Sequence, residues 1–194
     1  MPVPFDSLDD VPDLALLRLY ANGDKKAAAA LTLRFAPKIL GFATRMLRDR
    51  AEAEDVTQEA MLRLWNIAPD WREGEAKIDT WLYRITSNLC IDRIRKRRSS
   101  SLDEADEPIS SDPSMHAQLM ARDRKAALDL ALSKLPDRQR QAVILRHIEE
   151  LPNPEIAQIM GTGVEAIESL TARGKRKLAQ ILSGRKNELG FTDD

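Results

Sequence analysis

The sequence predicts an all-α protein: two small helical domains joined by a flexible acidic linker, the second containing a helix-turn-helix. Three observations carry this. Apolar residues recur at helical spacing along most of the chain, and the alternation of a half-buried strand is absent. Between residues 99 and 117 that period stops, and serines, carboxylates and two prolines replace it. After the break the helical period returns and contains a short helix, a glycine turn and a longer helix.

The bulk numbers set limits. The chain has 194 residues, 43% hydrophobic and 31% charged, with a net charge of −1. The apolar content suffices for packed cores. Near-neutrality excludes a uniformly basic nucleic-acid binder, so any such binding must use local patches. A single cysteine, Cys90, excludes an intramolecular disulfide or a cysteine zinc cage and fits a reducing cytoplasm. No early apolar run is long enough for a signal peptide or a membrane span, so a cytoplasmic chain that does not insert into membranes is expected.

Residues 1–12 read as a disordered tail, acidic and proline-containing. Leu14, Leu16, Leu17 and Leu19 mark a short helix closed by Asn22-Gly23. Asp24 caps the next helix, which runs to Phe35, and Pro37 starts another that carries Ile39, Phe42, Met46 and Leu47. A further helix begins within Asp49 to Glu54 and reaches Trp65, with Val56, Ala60, Met61 and Leu64 facing inward. Its other face is Asp55, Gln58, Glu59, Leu62 and Arg63, either a solvated face or a partner-binding strip. Residues 66–78 read as a loop. Trp71 within it is unusual, since large aromatics in loops pack or bind.

Residues 79–98 form an uninterrupted amphipathic helix. Ile78, Leu82, Ile85 and Leu89 make a core-facing stripe. Arg84, Asn88 and Arg95, with Trp81 at the margin, make a second face. Cations suit phosphates, an amide can read a base edge, and an aromatic ring can stack on a base. The basic run from Arg93 through Arg95, Arg97 and Arg98 also suits the negative end of the helix dipole.

Beyond the linker, a helix from Leu119 to Leu135 stops at Pro136, and another spans Asp137 to Ile148. Asn153 as cap and Pro154 at the first helical position start the helix-turn-helix. Ala157 allows close approach of two helices, and Gly161 supplies the turn. Val164, Ile167, Leu178 and Leu182 line the buried side of the last helix. Glu165, Ala166, Ser169, Arg173 and Arg176 face outward, where a DNA major groove and its phosphates would lie, with Lys175 and Lys177 adding positive charge.

These motifs together resemble the small extracytoplasmic-function (ECF) branch of bacterial RNA polymerase sigma factors. Asp55 to Trp65 resembles the polymerase-binding segment. Thr80 to Asn88 resembles the promoter-melting helix. Leu135 to Arg140, with Glu155-Ile156-Ala157 and the turn, resembles the second DNA-binding domain. The resemblance implies sigma region two at residues 13–98, a linker at 99–117, sigma region four at 118–184 and a tail at 185–194.

It also implies partners. Region two would grip the beta-prime clamp of core polymerase, which also includes the beta subunit, through Asp55, Gln58, Glu59, Leu62 and Arg63. It would capture the minus-ten strand with Trp71, Trp81, Arg84, Asn88, Arg93, Arg95, Arg97 and Arg98. Region four would read the minus-thirty-five duplex of promoter DNA through Glu165, Ala166, Ser169, Arg173, Lys175, Arg176 and Lys177. The linker would thread through the polymerase channel, and an anti-sigma factor would hold the idle protein. Glu168 and Leu170 stand where many members carry basic residues.

No catalytic or metal site is expected, and no cofactor: His116 and His147 have no metal-ligand companions, and no glycine-rich phosphate loop occurs. The protein reads as a transcription initiation factor, not an enzyme. The other reading is a sigma-like mimic that sequesters an anti-sigma protein; it would have lost the basic and aromatic groups retained here.

Overall fold

The computed structural model describes residues 8, 10–72, 74, 76–100 and 116–183. The described residues contain eight α-helices: α1 Asp13–Ala21, α2 Lys25–Leu47, α3 Arg50–Ile67, α4 Ile78–Ser100, α5 His116–Ser133, α6 Asp137–His147, α7 Asn153–Met160 and α8 Val164–Ser183. Among these residues there is no strand. The first four helices pack around α2, and the last four around α6 and α8. Most of the linker, 101–115, and the tail from 184 lie outside the described residues.

Local chemistry sets several helix ends. The Asp24 carboxylate accepts the Lys26 amide at 2.8 Å, and that of Asp49 accepts the Glu52 amide at 2.9 Å. Residues 66–78 hold the end of α3, a single 3-10 turn at Ala68–Asp70 and the entry to α4. Gly161 ends α7 in the left-handed region at φ 60°, which glycine adopts without the Cβ penalty, so the helix-turn-helix geometry follows.

Four expectations need correction. Pro37 does not start a helix; α2 runs through it. The missing amide frees the carbonyl of Leu33, a residue exposed to water, while Leu31, Phe35, Ile39 and Phe42 bury the helix on either side. Asn153 is the first helical residue rather than the cap, and its side chain caps nothing. Val164 is 39% exposed because it opens α8 at the turn, one step short of the core that Ile167 enters. In the segment read as a disordered tail, Leu8 is buried, and Arg34 donates to the carbonyls of Leu8 and Val11 at 2.6 and 2.7 Å.

The two helical groups also pack against each other. α7 lies along α4, and α2 touches α5 and α6. This explains a further departure on α4. Ile78 and Leu82 are buried as expected, and Ile85 and Leu89 half-buried, but Thr80, Tyr83, Ser87 and Cys90 are buried too. Those four recur at helical spacing, forming a second buried stripe. Thr80 and Tyr83 within it touch the second group directly.

Candidate nucleic-acid and partner interface

On α3, Asp55, Gln58, Leu62 and Arg63 are exposed and Glu59 is half-exposed. Their helix is held by Ala53, Val56, Ala60, Met61 and Leu64, all buried. Arg63 and Glu59 pair one turn apart, 2.5 Å between Nη2 and Oε1. Beside this strip runs an apolar groove of about 550 Å³ between α2 and α3, bordered by Leu33, Leu40, Met61, Leu62 and Trp65. Leu33 is 66% and Leu62 52% exposed, in an otherwise polar surface. Leu33 escapes a reading of α3 alone. Its sequence signal is an apolar residue on the polar face of an amphipathic helix, between Thr32 and Arg34.

Trp71 and Trp81 meet edge to face, ring centres 5.7 Å apart. They line a recess of about 310 Å³ with Ile67, Asp70, Arg72 and Ala76. Further along α4, Arg84, Asn88 and Arg95 are exposed on one face. Arg84 and Asn88 have no hydrogen-bond or ion-pair partner among the described residues. The recess and this face adjoin at Trp81, so a strand crossing α4 meets aromatic rings, an amide and cations in turn.

The basic end of α4 is different. Arg97 is committed to the bundle: Nε and Nη2 reach Glu52 at 3.1 and 2.6 Å, and Nη1 donates to the Leu47 carbonyl at 3.0 Å. Arg93 lies 3.7 Å from Asp55, and Arg95 4.0 Å from Asp92. Arg98 pairs with Asp137 of α6 at 2.8 Å. Two residues expected to serve different partners, Asp55 and Arg93, therefore face each other. Much of the cationic run is neutralised by carboxylates, which only the fold brings to it.

α8 presents Glu165, Ser169, Arg173, Lys175, Arg176 and Lys177 to solvent, with Ala166 half-exposed. Arg173 donates to its own helix, Nη2 to Ser169 Oγ at 2.9 Å. The four cations make no ion pair among the described residues. Gly174 sits on the opposite side. A Cβ there would lie 2.5 Å from Val143 Cγ2 and 3.3 Å from the Gln139 carbonyl, so the α6–α8 crossing requires glycine. That crossing sets the angle at which α8 projects.

Cys90 lies away from these faces. The Cys90 thiol is fully buried, and desolvation pushes it up to about 12, so it stays protonated at neutral pH. No group of histidine, cysteine and carboxylate side chains among the described residues could hold a metal ion. No helix among them is long and apolar enough to cross a membrane.

The Sigma-70 region 2 family model matches residues 31–100, and that of Sigma-70, region 4 matches residues 125–178. The ECF RNA polymerase sigma factor SigW of Bacillus subtilis (strain 168) is 33% identical over 177 residues, covering 86% of this chain and 94% of SigW. The chain belongs to the ECF branch of the sigma-70 family. The RNA polymerase sigma-H factor of Pseudomonas aeruginosa is 29% identical over 181 residues, 88% of this chain and 93% of that factor. Among solved structures, CnrH in complex with the cytosolic domain of CnrY superposes with a TM-score of 0.68 at 24% identity, over 89% of this chain and 97% of CnrH. The sigma factor RpoE bound to the anti-sigma factor NepR from Bartonella quintana gives 0.66 at 24% identity, over 78% and 94%. Both likenesses concern the fold of this ECF sigma factor. The family segments coincide with the two helical groups: α2 to α4 in one, α5 to α8 in the other.

Proposed function

We propose that this sigma factor docks on core RNA polymerase through the α2–α3 groove and its rim, captures a melted minus-ten strand on α4 and reads the minus-thirty-five duplex with α8. The observation that supports this best is the separate exposure of three chemically distinct surfaces. The groove is apolar and offers Leu33 and Leu62 to a partner's amphipathic helix. Arg84, Asn88 and Arg95 carry amide and cation chemistry beside two tryptophans. α8 offers unpaired cations around Ser169.

Melting costs about 1.4 kcal/mol per base-pair step. Stacking an extruded base on an aromatic ring returns roughly 1–3 kcal/mol, so the Trp71–Trp81 recess is the place for that exchange. Asn88 then holds a base edge, while Arg84 and Arg95 hold phosphate. An anti-sigma protein covers the groove of the idle factor. The basic and aromatic groups whose loss would mark a mimic are in place and exposed or half-exposed, which favours a working initiation factor.

Transcription assembled from core polymerase, this chain and genomic DNA tests the reading. Transcripts should start at promoters sharing two elements. Asn88→Ala should lower open-complex formation while core binding persists, and Leu33→Asp with Leu62→Asp should abolish core binding. Absence of any specific transcript, with the protein folded and bound to core, would overturn the initiation role.

A further inference from the structure

All three tryptophans of the chain lie on one path from the α2–α3 groove to α4. Trp65 borders the groove and also a hollow of about 280 Å³ that it shares with Tyr20, Gly23, Lys25 and Pro69. Pro69 borders a further hollow, of about 320 Å³, with Leu14, Leu17, Arg18 and Trp71. Trp71 then borders the recess it shares with Trp81. Neighbouring hollows thus share a wall, and each shared wall includes a ring: an indole, a proline, an indole.

The groups along this path are in contact. Tyr20 and Trp65 stand with ring centres 4.7 Å apart, tilted by 53°. α1 carries Tyr20 near its end and packs on the 3-10 turn Ala68–Asp70. Buried Ala68 anchors that turn, and Trp71 ends it. The Tyr20 hydroxyl has no hydrogen bond among the described residues, so the ring is what Tyr20 contributes.

The two ends of the path differ in firmness from the core behind them. Leu64 and Leu82 are fully enclosed, whereas Tyr20, Trp65, Trp71 and Trp81 are half-buried. Trp71 is lightly held. Its amide donates to the Ala68 carbonyl at 3.4 Å, longer than an ordinary N–H···O bond, and its ring meets Trp81 edge-on. A ring that borders open space can turn without displacing closely packed atoms.

We propose that Tyr20 is a positioning residue for strand capture: through Trp65 on one side and the Ala68–Asp70 turn on the other, it sets Trp71 according to whether the α2–α3 groove is filled. This rests on the assignment of the groove to core polymerase and of the Trp71–Trp81 recess to an unpaired base. A helix seated in the groove bears on Trp65. Trp65 yields toward the hollow it shares with Tyr20. Tyr20 moves with the last turn of α1, the turn that packs on α1 follows, and Trp71 swings away from Trp81 so that the recess opens. Tyr20 itself touches neither polymerase nor DNA. By linkage, a base held in the recess strengthens docking in the groove by the same factor as docking strengthens base capture.

The test is side-chain oxidation by hydroxyl radicals, read residue by residue by mass spectrometry, on the full chain free and saturated with core polymerase. It needs no promoter sequence. In the wild type, core should protect Trp65 and raise the oxidation of Trp71 severalfold. Tyr20→Ala should keep the protection of Trp65 yet lose most of the rise at Trp71. Tyr20→Phe, which keeps the ring against Trp65, should retain the full response. Tyr20→Leu keeps an apolar side chain on α1 in case alanine unfolds it, and should lose the rise as alanine does. A tyrosine that merely packs α1 onto α3 would leave the response of Trp71 to core intact in every folded variant. An undiminished rise in Tyr20→Ala or Tyr20→Leu, or no rise in the wild type while Trp65 is protected, would overturn the positioning role. Oxidation of Trp65 unchanged by core would strike the groove assignment itself, and the role of Tyr20 with it.

Discussion

Two seams of this molecule join helices by opposite means. At the α6–α8 crossing the backbones come so close that Gly174 has no room for a Cβ, and Val143 fills the gap. Between α4 and the segment that carries α7, a tyrosine and a threonine meet glutamates, and a lysine pairs at the edge. The first seam buries apolar atoms and gains nothing by opening. The second is held by hydrogen bonds and ion pairs that water, salt or phosphate can replace. A close apolar crossing thus fixes α8 within its own helical group, while the seam between the two groups rests on polar contacts.

The contrast can be broken at its rigid end. Gly174→Ala forces Val143, a stiff β-branched side chain, or the Gln139 backbone to move, and should cost about 1–3 kcal/mol in urea unfolding. A neutral result would mean that the α6–α8 crossing is looser than its geometry requires.

Cys90, on the buried stripe of α4, sharpens the contrast through pH. Its thiol rises from 9.0 to about 12 on burial, so the native chain holds a proton that the unfolded chain releases between those values. Stability from this group is intact below pH ~9 and falls as pH rises. Wild type should lose about 1.4 kcal/mol more than Cys90→Ala between roughly pH 8 and pH 10. Equal losses would show that the thiol is not desolvated in solution.

The two basic patches extend the comparison. Arg97 is tied to Glu52 and the Leu47 carbonyl, so Arg97→Ala should cost about 1 kcal/mol of stability. Its effect on DNA affinity should be smaller than that of Arg84→Ala. Among the described residues Arg173 hydrogen-bonds within its own helix, so Arg173→Ala should leave stability within ~0.5 kcal/mol while reducing the salt slope of duplex binding by about 1. An unchanged slope would remove Arg173 from the phosphate contacts.

How much of this was legible beforehand differs by type of interaction. The helices and the helix-turn-helix follow from periodicity and capping, which act within four residues of one another. Hence Asp24, Asp49 and Gly161 end or begin helices where the sequence indicates. Pro37 misled because a local rule met burial on both sides of it, and packing outweighed one missing hydrogen bond. Exposure of Arg84 and Asn88 was legible because the apolar stripe of α4 leaves that face outward.

The amino-acid order by itself determined eight helical segments to within a proline, two groups of them, and the residues proposed to meet a polymerase, a strand and a duplex. Only tertiary structure decided which of those residues are available. Arg93, Arg97 and Arg98 look alike in a basic run, yet each meets a carboxylate that is distant in sequence. Tyr83 and Thr80 look like ordinary helix residues until Glu149 and Glu155 are brought onto them. The reason is range: helix formation is set by neighbours along the chain, whereas pairing of charges and burial of a second face depend on where distant helices come to rest.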